Sequence, residues 1–177
     1  MKTDLEILKL LNPSELQHAL VKRSIDARIA EALNRLVVNP TDERNVGAAK
    51  EVYDGMVEKR CVWSDRPLRG GYAVDHVIPF ALWHSNDLWN LLPCDARVNG
   101  SKSDKLPERD LLVRQKPQII FYWEVLHRVW PLRFEHELRL FTGHADVAKN
   151  WQNLTFARLA EAVEVTAVQR GCDRWSP

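Results

Sequence analysis

Residues 72–107 read YAVDHVIPFALWHSNDLWNLLPCDARVNGSKSDKLP, and this stretch differs in kind from what flanks it. Gly70-Gly71 is a turn signal, and the β-type run 72–77 after it predicts a short strand. A second short strand is expected near 88–92, and a helix over 95–106 with Pro107 just beyond it. Asp75 and His76 are adjacent at the end of the first strand. Strand neighbours point to opposite faces, but a twist at a strand end can bring both towards one pocket. Asn99 falls on the predicted helix, and Lys102 follows three residues later on the same face. One carboxylate, one neutral amide oxygen and several waters make a Mg²⁺-type donor set. A neutral histidine beside such a metal can take a proton from water near pH 7. Metal, base, water and a cation together point to phosphodiester hydrolysis.

Outward from this centre the chain becomes helical. On the N-terminal side, residues 14–38 carry Leu16, Leu20, Ile25, Ile29, Leu33 and Leu36 as one apolar stripe, with Ser14 as N-cap and Asn39-Pro40 as the stop. Thr41 then caps a second helix over 42–59, with Val46, Ala49, Val52, Tyr53 and Met56 on its apolar face. Residues 61–63 form a further β-type run before the turn 64–67. On the C-terminal side, Pro117 opens a helix whose apolar face includes Ile119, Ile120, Trp123, Leu126 and Trp130 and which ends at Pro131. Short and long amphipathic helices follow at 132–141 and 154–168. The expectation is an α+β protein, mostly helical. Its small ββα centre at 60–107 is flanked by helical regions at 1–59 and 108–177 in one body.

The chain has 177 residues, with 25 Lys+Arg against 24 Asp+Glu and a formal charge of +1. Such a balance excludes a strongly basic DNA-coating protein. The apolar fraction of 45% and charged fraction of 28% are globular, excluding a disordered chain. Three cysteines are a poor disulfide framework and suggest a reducing compartment. No run approaches a membrane span and the N-terminal residues carry no uninterrupted apolar stretch, so a soluble, cytoplasmic protein is expected.

The combination of Asp75-His76, Asn90 within LWNLLP and Asn99 within VNGSKSDKLP resembles the HNH (ββα-metal) endonucleases. The tail NGSKSDKLP is similar to the HNH domains of RNA-guided CRISPR effector nucleases and their bacterial defence relatives. The resemblance covers residues 60–107. It implies that His76 is the general base, that Asp75 and Asn99 hold a single Mg²⁺ or Mn²⁺, and that Asn90 pins the hairpin loop and so orients His76. Lys102 would contact the phosphate or steady the metal pocket. The implied products carry a 5′-phosphate and a 3′-hydroxyl.

Many relatives hold a structural zinc with two CxxC pairs. Here Ser64 stands where Cys61 would have its partner, and Cys94 has none, so no structural zinc is expected. His84 is a possible rim residue, whereas His127 and His136 read as packing or surface residues. Trp83, Trp89, Trp123 and Trp130 read as core. Arg66, Arg69, Arg97 and Lys105 are candidate contacts to a nucleic-acid backbone. DNA is the expected partner, with RNA not excluded, together with a protein partner or oligomer bound through the helical flanks. The alternative is an assembly subunit of a larger defence complex whose nuclease activity is weak or partner-gated.

Overall fold

The computed structural model describes residues 43–143 and 149–177. The helix expected at 14–38 and the Thr41 cap lie outside the described residues. Residues Glu43–Pro177 form one compact unit, mostly helical with two small sheets, an α+β arrangement.

The first helix, α1 (Gly47–Asp54), is shorter than the 42–59 expected. Residues 43–46 are non-helical, and the Asn45 side chain caps the start by accepting the Gly47 N–H at 2.9 Å. Its apolar face is as expected: Ala49 and Tyr53 are buried, with Val46, Val52 and Met56 packed at the margin. No strand forms at 61–63. A single antiparallel bridge joins Arg60 to Pro67, and residues 62–64 turn instead, held by the Cys61 N–H to the Arg66 carbonyl. The Ser64-Asp65-Arg66-Pro67 turn signal outweighs the β propensity of the preceding three residues.

The centre is the antiparallel pair β1 (Ala73–His76) and β2 (Leu91–Cys94), with Asp75 opposite Leu92 and His76 opposite Leu91. The second strand starts three residues later than expected, because Leu88–Asn90 closes into a 3₁₀ turn first. The connection also carries a four-residue helix, α2 (Phe80–Trp83). Pro79 leads into it, and His84 ends it in the left-handed conformation.

Helix α3 (Ala96–Lys102) starts at Asp95, whose carboxylate accepts the N–H groups of Arg97 and Val98. It stops four residues before the expected end, at Ser103, which has φ +52°. The chain is then free to extend into β3 (Leu106–Pro107), which pairs in parallel with β4 (Arg174–Trp175) near the C-terminus. That pairing, invisible in two-residue strands, seats Trp175 with its indole N–H on Ser101 Oγ at 3.1 Å and its ring against Trp63.

Four further helices complete the unit: α4 (Arg109–Arg114), α5 (Lys116–Val129), α6 (Pro131–Thr142) and α7 (Trp151–Arg170). Pro117 sits in the first turn of α5, and Gly143, at φ +75°, ends α6. Helix α5 buries Ile119, Tyr122, Trp123 and Leu126. It also bonds the centre directly: Trp123 Nε1–H donates to the Trp89 carbonyl at 2.8 Å, and the Tyr122 hydroxyl bridges the N–H and carbonyl of Arg60. Helix α6 stacks Phe141 on Trp89 with centroids 3.8 Å apart. Trp89 and Trp123 are core, as expected, whereas Trp83 and Trp130 are more than a third exposed. His127 packs between the rings of Phe134 and Trp151. Among the described residues no helix is long and apolar enough to cross a membrane.

Candidate active site

The end of β1 and the face of α3 that packs on it enclose an open cleft of about 380 Å³. Asp75, His76 and Asn99 all line it, so residues separated by more than twenty positions meet on one surface. Arg44, Phe80 and Asp104 complete the rim.

Asp75 is almost fully buried, at 3% exposure. Each of its oxygens has one donor: Trp63 Nε1–H to Oδ2 at 2.6 Å and Lys102 Nζ to Oδ1 at 3.1 Å. A carboxylate oxygen accepts about two hydrogen bonds, so both retain a lone pair. Burial pushes the Asp75 carboxyl above the usual carboxylate range, and the Lys102 ammonium opposes that rise.

Lys102 has no exposed surface. Its ammonium spans Asp75 and the His76 carbonyl, the latter at 2.7 Å. Of the two tasks expected of it, steadying the pocket matches this position. Contact with a phosphate does not, because the side chain is enclosed and does not line the cleft.

His76 is 2% exposed. Its Nε2 faces Asn86 Oδ1 at 3.2 Å, and its Nδ1 is buried with no hydrogen-bond partner. The surroundings settle which nitrogen carries the proton. Asn86 Oδ1 also accepts the Asn45 N–H at 3.0 Å, and Asn86 Nδ2–H donates to the Glu43 carbonyl at 3.1 Å. Turning the amide over would place donor against donor and acceptor against acceptor. Oδ1 therefore faces the ring, Nε2 must be the protonated nitrogen, and Nδ1 keeps its lone pair. Burial pushes the His76 pKa down to about 4, and the Arg44 and Lys102 cations add to the depression, so the ring is neutral at pH 7.

Asn90 is buried at 0% exposure and clamps the backbone N–H and carbonyl of one residue, Ile78. Its Oδ1 accepts the Ile78 N–H at 2.8 Å, and its Nδ2–H donates to the Ile78 carbonyl at 2.9 Å. Its own carbonyl accepts the Val77 N–H. The chain leaving His76 is thus held by an amide that does not line the cleft.

Asn99 is half-buried on α3 and lines the same cleft as Asp75. One anionic oxygen and one neutral amide oxygen suit a hard divalent cation that keeps most of its waters, so the residues present fit a Mg²⁺-like ion. Among the described residues no group of three or more His, Cys, Asp or Glu side chains is arranged for a metal.

The remaining expectations fare differently. His84 is exposed at the end of α2, its ring against Phe80, and does not line the cleft. Arg66, Arg69, Arg97 and Lys105 do not line it either. The cation that does is Arg44, which donates to the Val74 carbonyl at 3.1 Å. Sequence reasoning missed Arg44, Asn86 and Trp63. Arg44 reaches the Val74 carbonyl and Asn86 reaches the His76 ring through tertiary contacts that no spacing encodes. Trp63, ten residues before the start of the Asp-His strand, reads in sequence as a β residue.

Residues 64–108 match the family model described as HNH endonuclease. The match spans roughly a quarter of the chain and contains Asp75, His76, Asn90, Asn99 and Lys102. It supports a nuclease acting on nucleic acid, a class that generally uses a divalent metal. Comparison with curated proteins gives no match, and comparison with solved structures gives none.

Proposed function

We propose that this chain is a metal-dependent endonuclease that hydrolyses DNA phosphodiester bonds, with His76 as general base. The observation that carries the reading is the state of His76. It is neutral, its tautomer is fixed through Asn86, and its buried Nδ1 has no hydrogen-bond partner, while the residue lines the cleft that Asp75 and Asn99 also line. A hydrolytic base needs a free lone pair near neutral pH and a fixed orientation.

Asp75 and Asn99 would hold one Mg²⁺ or Mn²⁺. When bound, the ion supplies Lewis-acid stabilisation to the phosphate and leaving oxygen. The protein's own part is to take the proton of the attacking water on His76 Nδ1. As that proton arrives, the imidazolium is stabilised by Asn86 Oδ1, which accepts the Nε2–H. Asn90 fixes the backbone two residues beyond His76, and Lys102 and Trp63 hold the Asp75 carboxylate in one orientation. Arg44 offers a cation at the rim for a phosphate oxygen. The likeness of residues 99–107 to CRISPR-type HNH domains extends the proposal to anti-phage defence or restriction.

The test is a panel of duplex DNA, single-stranded DNA and RNA oligonucleotides incubated with Mg²⁺, Mn²⁺ or chelator. The expected result is metal-dependent cleavage of DNA, leaving 3′-hydroxyl ends that a polymerase extends. Cleavage that persists in chelator, or no cleavage of any DNA with any metal, contradicts the reading.

A further inference from the structure

Outside the cleft lining, two thiols touch. Cys61 and Cys94 are each fully buried, and their sulfurs are 3.6 Å apart although 33 positions separate them in the chain. The backbones run alongside each other there, with the Val62 N–H bonded to the Pro93 carbonyl at 2.9 Å. A disulfide needs a sulfur separation near 2.05 Å, so the atoms would close by roughly 1.5 Å, within reach of small χ1 changes. The third cysteine, Cys172, is half-buried and is not part of the contact.

We propose that Cys61 and Cys94 form a modification site, which a peroxide-class oxidant converts to an intramolecular disulfide that staples the 61–66 turn to the end of β2. The shared hydrogen bond splits the pair's acidity, drawing the Cys61 thiol down to about 5 and pushing Cys94 up. Either sulfur can pass its proton to the other across the contact, and the step is written with Cys61 as the attacking thiolate. The Cys61 thiolate attacks one peroxide oxygen, the O–O bond breaks, and hydroxide leaves to take a proton as water. The Cys94 sulfur then attacks the resulting Cys61 sulfenic acid. The S–S bond forms, hydroxide leaves, and the Cys94 proton converts it to a second water. Each sulfur loses one electron, and the two peroxide oxygens gain them. Because both thiols are buried, the reaction runs through transient local opening and is slower than oxidation of Cys172.

The placement gives the bond a consequence. Cys61 stands two residues before Trp63, whose indole holds Asp75, and Cys94 directly precedes Asp95, the cap of the helix that carries Asn99. Oxidation thus ties together the two supports of the cleft.

The experiment uses the full chain with Cys172→Ser, incubated natively with hydrogen peroxide, then alkylated under denaturing conditions and weighed intact and as peptides. The expected product has lost two hydrogens, takes no alkyl group, yields one peptide pair joining Cys61 to Cys94, and reverts with dithiothreitol. C61S,C172S and C94S,C172S proteins yield no such peptide pair. The proposal is overturned if both thiols stay alkylatable after native peroxide exposure continued well beyond the time that fully oxidises Cys172 in the unmodified sequence. It is equally overturned if Cys61 gains oxygen while Cys94 stays alkylatable, or if the cross-link joins two chains. Mass and thiol state are read without any nuclease assay, so the result stands apart from the proposed function.

Discussion

Replacing Asn90 with alanine removes the clamp on the backbone that follows the strand carrying His76. Both Asn90 and Ile78 are fully buried, and the Asn90 amide satisfies the N–H and the carbonyl of Ile78 at 2.8 and 2.9 Å. An alanine reaches neither group, and water cannot replace the amide without opening the core. Each buried backbone group left unpaired costs about 1–3 kcal/mol, so N90A should lose about 2–6 kcal/mol. Urea unfolding followed by tryptophan fluorescence at pH 7.5 measures this. With a slope of about 2 kcal/mol/M the midpoint falls by about 1–3 M. Asn90→Asp should not rescue it, because a carboxylate oxygen would face the Ile78 carbonyl where an N–H donor is needed. A loss below about 1 kcal/mol in N90A, or near-normal stability in N90D, would refute the clamp and with it the account of how His76 is oriented.

Three other outcomes follow from the same geometry. Lys102→Met removes the cation beside a buried carboxylate while keeping most of the volume, and should cost about 3–5 kcal/mol in the same unfolding assay; a surface-like loss near zero would contradict its burial. His76 has a folded pKa of about 4 against an ordinary 6.5, so the unfolded chain binds the extra proton and stability falls as pH drops from 6.5 to 4, by up to about 3 kcal/mol. Glu137, raised to about 7 by burial against an ordinary 4.5, gains stability as pH falls through that window, and Asp75, also raised by burial, acts in the same direction; the difference in slope between E137Q and E137Q with His76→Asn should therefore carry the His76 contribution. Asn99→Ala alters a half-buried helix residue, so stability should move by under about 1 kcal/mol while calorimetric Mn²⁺ affinity falls roughly tenfold or more; unchanged affinity would remove Asn99 from the metal site.

How much of this was legible in the sequence depended on the range of the interaction. Local signals carried well: the Pro117 start and the Asp75-His76 strand lie where the residue types put them. The candidate residues Asp75, His76 and Asn99 stand out because a divalent ion and a base demand particular side-chain types, and all three line one cleft. Lys102 was only half legible, since spacing gives a helix face and not which way that face is turned; it proves to be inward, against Asp75. Contacts that depend on tertiary closure were not legible. The parallel pairing of Leu106 with Arg174 spans most of the C-terminal half, and Asn86 reaches His76 only because the 43–45 segment orients its amide. The arginines near the motif in sequence stayed outside the cleft, and Arg44, distant in sequence, lines it.

The charge of +1 bears on the substrate as well. With so little net attraction to a polyanion, DNA binding by the chain is expected to be weak and salt-sensitive, and on the proposed reading the local attraction comes from the ion and Arg44.

The most direct test of the central claim is plasmid nicking at pH 7.5 with Mg²⁺ or Mn²⁺, comparing the unmodified chain with His76→Ala at matched folding by circular dichroism. Loss of the base should slow nicking by about 100- to 10,000-fold while the fold persists. Equal nicking rates in the two proteins would contradict His76 as the base.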